Sequence, residues 1–211
     1  MKNILLIFLM YPWMLFSQGY SFNYKCIEFE THYIGDHKRS ERTNYHYTNT
    51  KDSTIQALDY KFNTSRNLNI YDTKRKIFWK FDREKSIDDK PLSLIKSYKL
   101  KERDPFIVKL VTVEKITDLS YEVSVFGKNK IKPTLDLDIH LSESSFPLQK
   151  IQFLDASKEI HSKIYSALIK KLPSLHYQLK SVKSKSKLSA LHSEFTCTEV
   201  DVFFDVSPFL K

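Results

Sequence analysis

Apolar side chains recur at every second position through most of this chain, and that period limits the possible folds more than any other feature. The clearest run spans residues 134–141, where the positions on one side are Leu135, Leu137, Ile139 and Leu141. Successive side chains of a β-strand point to opposite faces, so such a run predicts a strand with one buried face. Roughly ten runs of this kind, separated by turn residues, predict an antiparallel sheet.

One segment departs from this period and predicts a helix near residues 157–172. Its residues Ile160, Ile164 and Leu168 are spaced four apart, which places them on one side of an α-helix. The predicted fold class is therefore α+β and mostly antiparallel β, with a large curved, half-barrel-like sheet and the helix packed against it. This arrangement resembles in architecture the open half-barrel of lipoprotein-carrier proteins. A β-sandwich or a closed barrel is the alternative.

The first predicted strand changes its alternation part-way along. Apolar side chains occupy the even positions from Tyr20 to Cys26 and the odd positions from Ile27 to Tyr33. One extra residue in a strand reverses which side chains face inward. We therefore expect a bulge or bend near residue 26, after which Ile27 and its alternate neighbours face the core.

The N-terminus predicts export. Lys2 precedes an apolar run of about thirteen residues that ends near Ser17, as in a cleavable signal peptide. A membrane-spanning helix needs roughly twenty apolar residues, so no stable transmembrane segment is expected after cleavage. We predict that residues 1–17 are the signal peptide, that residues 18–211 form a single β-rich domain, and that the protein is periplasmic or extracellular.

Two cysteines, Cys26 and Cys197, remain after the predicted cleavage. In an oxidising compartment such a pair is a candidate disulfide. This bond would join the first predicted strand to the last, across almost the whole chain. The alternative is two separate buried thiols that act as small apolar side chains.

A further pattern concerns the segment from Tyr45 to Asp82. Asn49-Thr50-Lys51-Asp52-Ser53 leads into two short strands, which are followed by Ile70-Tyr71-Asp72 and by Lys76-Ile77-Phe78-Trp79-Lys80-Phe81. Together with a signal peptide that ends before Gln18, this segment resembles secreted proteins of Bacteroidota that have no known function. The resemblance covers under a fifth of the chain. It implies a location and no activity.

The composition favours one group of partners and excludes some classes of site. The formal net charge is +9, and the three glycines are isolated from one another. Phosphate-binding loops and dinucleotide-binding turns need closely spaced glycines, so no nucleotide cofactor is expected, and no other cofactor is indicated. A basic exported protein meets lipid or another envelope component rather than nucleic acid. The clustered lysines predict a solvated turn; they are Lys180, Lys183, Lys185 and Lys187.

Aromatic side chains are the candidate ligand-binding residues. An apolar hollow between sheet and helix would be lined by Trp79, Phe81, Phe153, Tyr165 and Tyr177. The favoured function is therefore a non-enzymatic binding module for an apolar or lipid-like ligand. Alternatively, these side chains fill the core of a structural or interaction protein that has no small-molecule site.

A row of polar side chains supplies the candidate residues for metal binding or catalysis. Asp136, Asp138 and His140 share the outward side of the strand at residues 134–141. Such carboxylate and imidazole groups could hold a divalent cation, or His140 could act as a base oriented by Asp138. A metal-dependent hydrolase is thus the third candidate function. Solubility alone also places polar residues on an exposed sheet face, so no catalytic residue is assigned and an enzyme is not the favoured interpretation.

Overall fold

The computed structural model describes residues 19–35, 37–62, 64–83, 92–100, 108–128, 131–151, 158–185 and 190–209. The predicted signal peptide at residues 1–17 and the candidate ligand residue Phe153 lie outside these described residues. Within the described ranges the chain forms eleven β-strands, one α-helix and a short 3-10 helix at Ser207–Phe209.

The eleven strands form one sheet in which every neighbouring pair is antiparallel. The strands are β1 Gly19–Ile34, β2 His37–Asn49, β3 Asp52–Phe62, β4 Ser65–Asp72, β5 Ile77–Asp82, β6 Ser93–Lys99, β7 Leu110–Thr117, β8 Ser120–Phe126, β9 Leu135–Glu143, β10 Tyr177–Lys185 and β11 Ala190–Asp205. Their spatial order is β6-β5-β4-β3-β2-β1-β11-β10-β9-β8-β7, so β6 and β7 are the edges. The predicted antiparallel sheet with one helix is confirmed, as a single open sheet and not a sandwich or closed barrel.

Strands β1 and β11 form the centre of the sheet. Each is 16 residues long, and their pairing places Cys26 directly opposite Cys197. The two sulfur atoms are 2.04 Å apart, which confirms the predicted disulfide. Strands β2 to β6 continue from β1 as one meander, and β7 to β11 form a second meander that returns to β1. The disulfide therefore links the two meanders where they meet.

The helix α1, Lys158–Ile169, lies within the predicted range of 157–172. Ile160, Ile164 and Leu168 are buried on the side of α1 that faces the sheet, and the helix packs against β7 and β8. Among the described residues, no helix combines the length and the apolar character needed to cross a membrane.

Apolar side chains form two separate cores. The helix-side core joins α1 to β1 and to β8 through β11, and its buried residues include Tyr24, Val123, Ile139, Ile164 and Val182. The meander core joins β2 to β5 with the start of β1 and the end of β11; its buried residues are Tyr20, Phe22, Tyr47, Ala57, Leu68, Ile70, Trp79, Phe81, Phe204 and Val206. On β2 the adjacent residues His46 and Tyr47 are both buried, so this strand is covered on both faces.

Two of the local predictions are wrong for the described residues at the C-terminal side of β9. The apolar residues of the segment 148–154 predict a strand, but its described part, Leu148 to Ile151, forms none. Its backbone groups bond instead to a loop and to a side chain, since Leu148 N–H donates to the carbonyl of Leu175 and Ile151 N–H donates to the hydroxyl of Tyr165. Three of the four clustered lysines are not in a turn, since Lys180, Lys183 and Lys185 lie in β10, and the fourth, Lys187, lies outside the described residues. Lys183 is exposed there while its neighbours Val182 and Ser184 are buried, as a strand period requires.

Candidate functional site

The unusual part of the sheet is the stretch of β1 where a change of alternation is predicted. The alternation does not change after residue 26, because β1 keeps its register with both neighbours from Tyr24 to His32; the register shift of β1 against β11 lies earlier, between Phe22 and Tyr24. The even positions therefore stay buried, with Glu28 at 1% and Glu30 at 3% exposure, whereas Phe29 is 54% exposed. Carboxylates point inward here and a large apolar side chain points to solvent. Departures from the expected pattern of this kind concentrate at functional sites.

Glu28 is held by two side chains of β2. Its Oε2 accepts a hydrogen bond from the amide of Asn44 at 2.8 Å and bonds to Nε2 of His46 at 2.8 Å. Burial alone would raise the pKa of Glu28, but the hydrogen bond and charge of His46 and the bond from Asn44 keep this pKa below its ordinary value. Pairing places these partners side by side, since Glu28 lies opposite Asn44 and Cys26 opposite His46.

Glu30 forms the second buried pair. Its Oε1 is hydrogen-bonded to Nε2 of His32 at 2.7 Å and forms an ion pair with Arg42, which lies directly opposite on β2. Unlike Glu28, this carboxylate pairs with side chains that are about one third exposed, at 34% for His32 and 36% for Arg42. The two buried carboxylates of β1 are thus each paired with a basic side chain.

The opposite face of the same strands borders an open cavity of about 600 Å³, here called the β1–β4 cavity. The residues that line it come from four strands and include Phe29, Thr31, Thr43, Tyr45, Lys61 and Arg66. The ion-paired residues Glu30 and Arg42 also border it. This volume lies in the range typical of sites for small ligands, roughly 300–1,000 Å³. The exposed ring of Phe29 gives the cavity an apolar wall.

Cations surround Tyr45, which supplies the other aromatic wall of the cavity. Nζ of Lys25 lies 4.8 Å from the centre of the Tyr45 ring, and the guanidinium carbon of Arg66 lies 5.5 Å from it. Arg66 is fixed by fully buried Asp59 through two hydrogen bonds of 2.9 and 3.0 Å. The hydrogen bond that Arg66 donates to Asp59 raises the pKa of Arg66, so this side chain stays charged.

The structure does not bring the predicted ligand residues together. Trp79 and Phe81 are buried in the meander core, whereas Tyr165 is buried in the helix-side core and Tyr177 packs at its margin. Tyr165 also borders a smaller cavity of about 210 Å³ beside α1. Its hydroxyl accepts the N–H of Ile151 at 2.9 Å, and burial raises its pKa. These rings fill two cores, so the hollow predicted between sheet and helix is not their common site.

The predicted metal row lies on the outward side of β9. Asp136 accepts a hydrogen bond from Ser124 at 2.6 Å, and Nδ1 of His140 is bonded to the hydroxyl of Ser120 at 2.8 Å. Asp138 stands between Glu122 and Lys183 on the neighbouring strands. In the part of the chain that the structure describes, no three histidine, cysteine or acidic side chains are grouped closely enough to hold a metal ion.

The comparisons with known proteins identify no family for this chain. No family model matches the sequence, and no curated protein matches it. Among solved structures, a LolA superfamily protein from Nitrosomonas europaea aligns with 85% of this chain and 87% of its own, at 8% sequence identity and a TM-score of 0.36. A likeness this distant carries no argument about function, which has to be inferred from the residues themselves.

The sequence does not predict the residues around the cavity, because they are distributed over several strands and form no local motif. The one local sign was Ile27-Glu28-Phe29-Glu30, in which apolar and acidic residues alternate without a break in the strand. Either set could face inward, and the sequence of β1 alone does not decide between them. The decision depends on β2, which places Arg42, Asn44 and His46 beside the carboxylates.

Proposed function

We propose that this protein is an exported binding module that holds an apolar, lipid-like ligand in the β1–β4 cavity. The observation that carries the proposal is the exposed ring of Phe29 in the wall of a cavity of about 600 Å³. Covering a large apolar side chain is favourable by roughly 1.5–3 kcal/mol when the burial is complete. A ligand with an apolar portion gains part of this free energy by lying against Phe29 and Tyr45.

The proposed role is binding rather than catalysis. The two carboxylates that line the cavity are engaged in ion pairs, Glu30 with Arg42 and Glu41 with Lys38. Asp59, which holds the lining residue Arg66, is paired as well. Fixed charges of this kind give a wall of constant shape, which reduces the ordering cost of binding.

Export is proposed on two grounds. Residues 1–17 have the composition of a signal peptide. The Cys26–Cys197 disulfide is typical of proteins that fold in an oxidising compartment. A lipid or another component of the cell envelope is then the proposed partner, and the resemblance of residues 45–82 to secreted Bacteroidota proteins remains a prediction that agrees with this location.

The proposal predicts that Phe29→Ser weakens the binding of an alkyl-chain ligand by roughly tenfold, since about 1.4 kcal/mol of apolar contact is lost. The measurement is displacement of a solvent-sensitive fluorescent fatty-acid probe from the chain without residues 1–17. Phe203→Ser is the matched control, because Phe203 is 52% exposed on β11 and does not line the cavity. Equal affinity in the two variants, or no binding of the probe to the unchanged protein, would contradict the proposal.

A further inference from the structure

We propose that the ligand of the β1–β4 cavity carries an anionic head group, a carboxylate or a phosphate, and that Lys61 and Arg66 bind it. This inference rests on the proposed function and specifies the chemistry of the same site. It starts from the charges that meet at the cavity, where Lys61 and Arg66 are lining residues and Lys25 lies against the ring of Tyr45.

The acidic side chains around the cavity are already matched by bases. Glu30 pairs with Arg42, and Glu41, which also lines the cavity, is 2.5 Å from Nζ of Lys38. Asp59 accepts hydrogen bonds from both Arg66 and Arg83. Lys61 is exposed and, among the described residues, forms no ion pair with any of these carboxylates. Its ammonium group is thus available to a ligand.

Two cationic side chains also lie against the ring of Tyr45. Lys25 and Arg66 both lie within cation–π distance of Tyr45, at 4.8 and 5.5 Å from its centre. Like charges held near one another repel, and an anion placed between them and Lys61 relieves that repulsion. Because Asp59 holds Arg66 by two hydrogen bonds, the guanidinium is already oriented before a ligand arrives.

The apolar and charged parts of the cavity are adjacent, which fits an amphiphile better than a small ion. Phe29 and Tyr45 lie on neighbouring strands, with Phe29 paired to Thr43 and Tyr45 to Ile27. An alkyl chain along these rings places its head group near Lys61 and Arg66. Fatty carboxylates and single-chain phosphate lipids share this chemistry.

The test compares four amphiphiles with the same alkyl chain and a carboxylate, phosphate, neutral sugar or trimethylammonium head group. Binding to the chain without residues 1–17 is measured below the critical micelle concentration by isothermal titration calorimetry. We expect an anionic head to bind about tenfold or more tightly than the neutral one, because a charge-assisted hydrogen bond is gained. The preference should weaken as salt is raised, since the cations are partly exposed. The carboxylate and phosphate arms show which anion is preferred.

Two variants make the result specific to the site. Lys61→Gln should remove most of the preference for the anionic head, whereas Lys170→Gln, at an exposed position just after α1, should leave it intact. Equal binding of all four head groups, still sensitive to Phe29→Ser, would overturn this inference and leave the proposed function standing. If none of the amphiphiles binds, the proposed function fails together with it.

Discussion

Replacement of both cysteines, in Cys26→Ala/Cys197→Ala, is expected to lower the free energy of unfolding by about 5 kcal/mol. The bond closes a loop of 171 positions, so its absence gives the unfolded chain much more conformational freedom. In a domain of this size the loss corresponds to a fall of roughly 10–20 °C in Tm. Urea unfolding followed by circular dichroism measures the change.

The same protein in reductant provides the control for this prediction. Reduced unchanged protein and the double alanine variant should unfold at similar urea concentrations, because both lack the cross-link. An oxidised protein that unfolds at the same midpoint as its reduced form would show that the bond adds nothing to stability. Since Cys26 and Cys197 stand opposite each other at the centre of the sheet, that outcome would also question the pairing of β1 with β11.

The second large effect is expected at Glu28. Glu28→Gln removes the charge that faces His46 at 2.8 Å in a buried environment, and breaking a buried pair costs about 3–5 kcal/mol. Glu194→Gln is the matched control, because Glu194 faces His192 at 3.6 Å on an exposed part of β11. An exposed pair of this kind is worth about 1 kcal/mol or less. Equal loss of stability in the two variants would contradict the importance of the buried pair.

The contribution of Glu28 to the free energy of unfolding should decrease as the pH is lowered. Its pKa is lower in the folded protein than in the unfolded chain, so its contribution is present above the ordinary glutamate pKa of about 4.3. That contribution is lost as pH falls through the lower pKa of the folded state. The difference in stability between the unchanged protein and Glu28→Gln should therefore be full near neutral pH and should shrink in acid, as measured by urea unfolding at a series of pH values.

The elements that follow a simple period could be predicted from the sequence. Leu135 to Leu141 alternates without interruption, and the strand β9 is present with Leu137, Ile139 and Leu141 buried. The helix was predictable for the same reason, since Ile160, Ile164 and Leu168 share one side. In each case a single buried face is specified within one short segment.

The prediction failed where two residue sets compete for the core. At Ile27-Glu28-Phe29-Glu30 the apolar residues predict that Ile27 and Phe29 face the core. The regular backbone of β1 and the basic side chains of β2 place Glu28 and Glu30 there instead. The grouping of the aromatic residues could not be predicted for a related reason, since Trp79 and Tyr165 lie in different cores. A sequence indicates that a ring is buried, but only the order of strands determines which other side chains surround it.

The most direct test of the proposed site is nuclear magnetic resonance of the 15N-labelled chain without residues 1–17, titrated with an anionic single-chain amphiphile below its critical micelle concentration. Ligand in the β1–β4 cavity should shift the amide signals of Phe29, Thr43, Tyr45, Lys61 and Arg66, and should leave those of α1 unchanged. Shifts confined to α1 and the indole of Trp79, or no saturable shifts, would contradict a binding site on this face of the sheet.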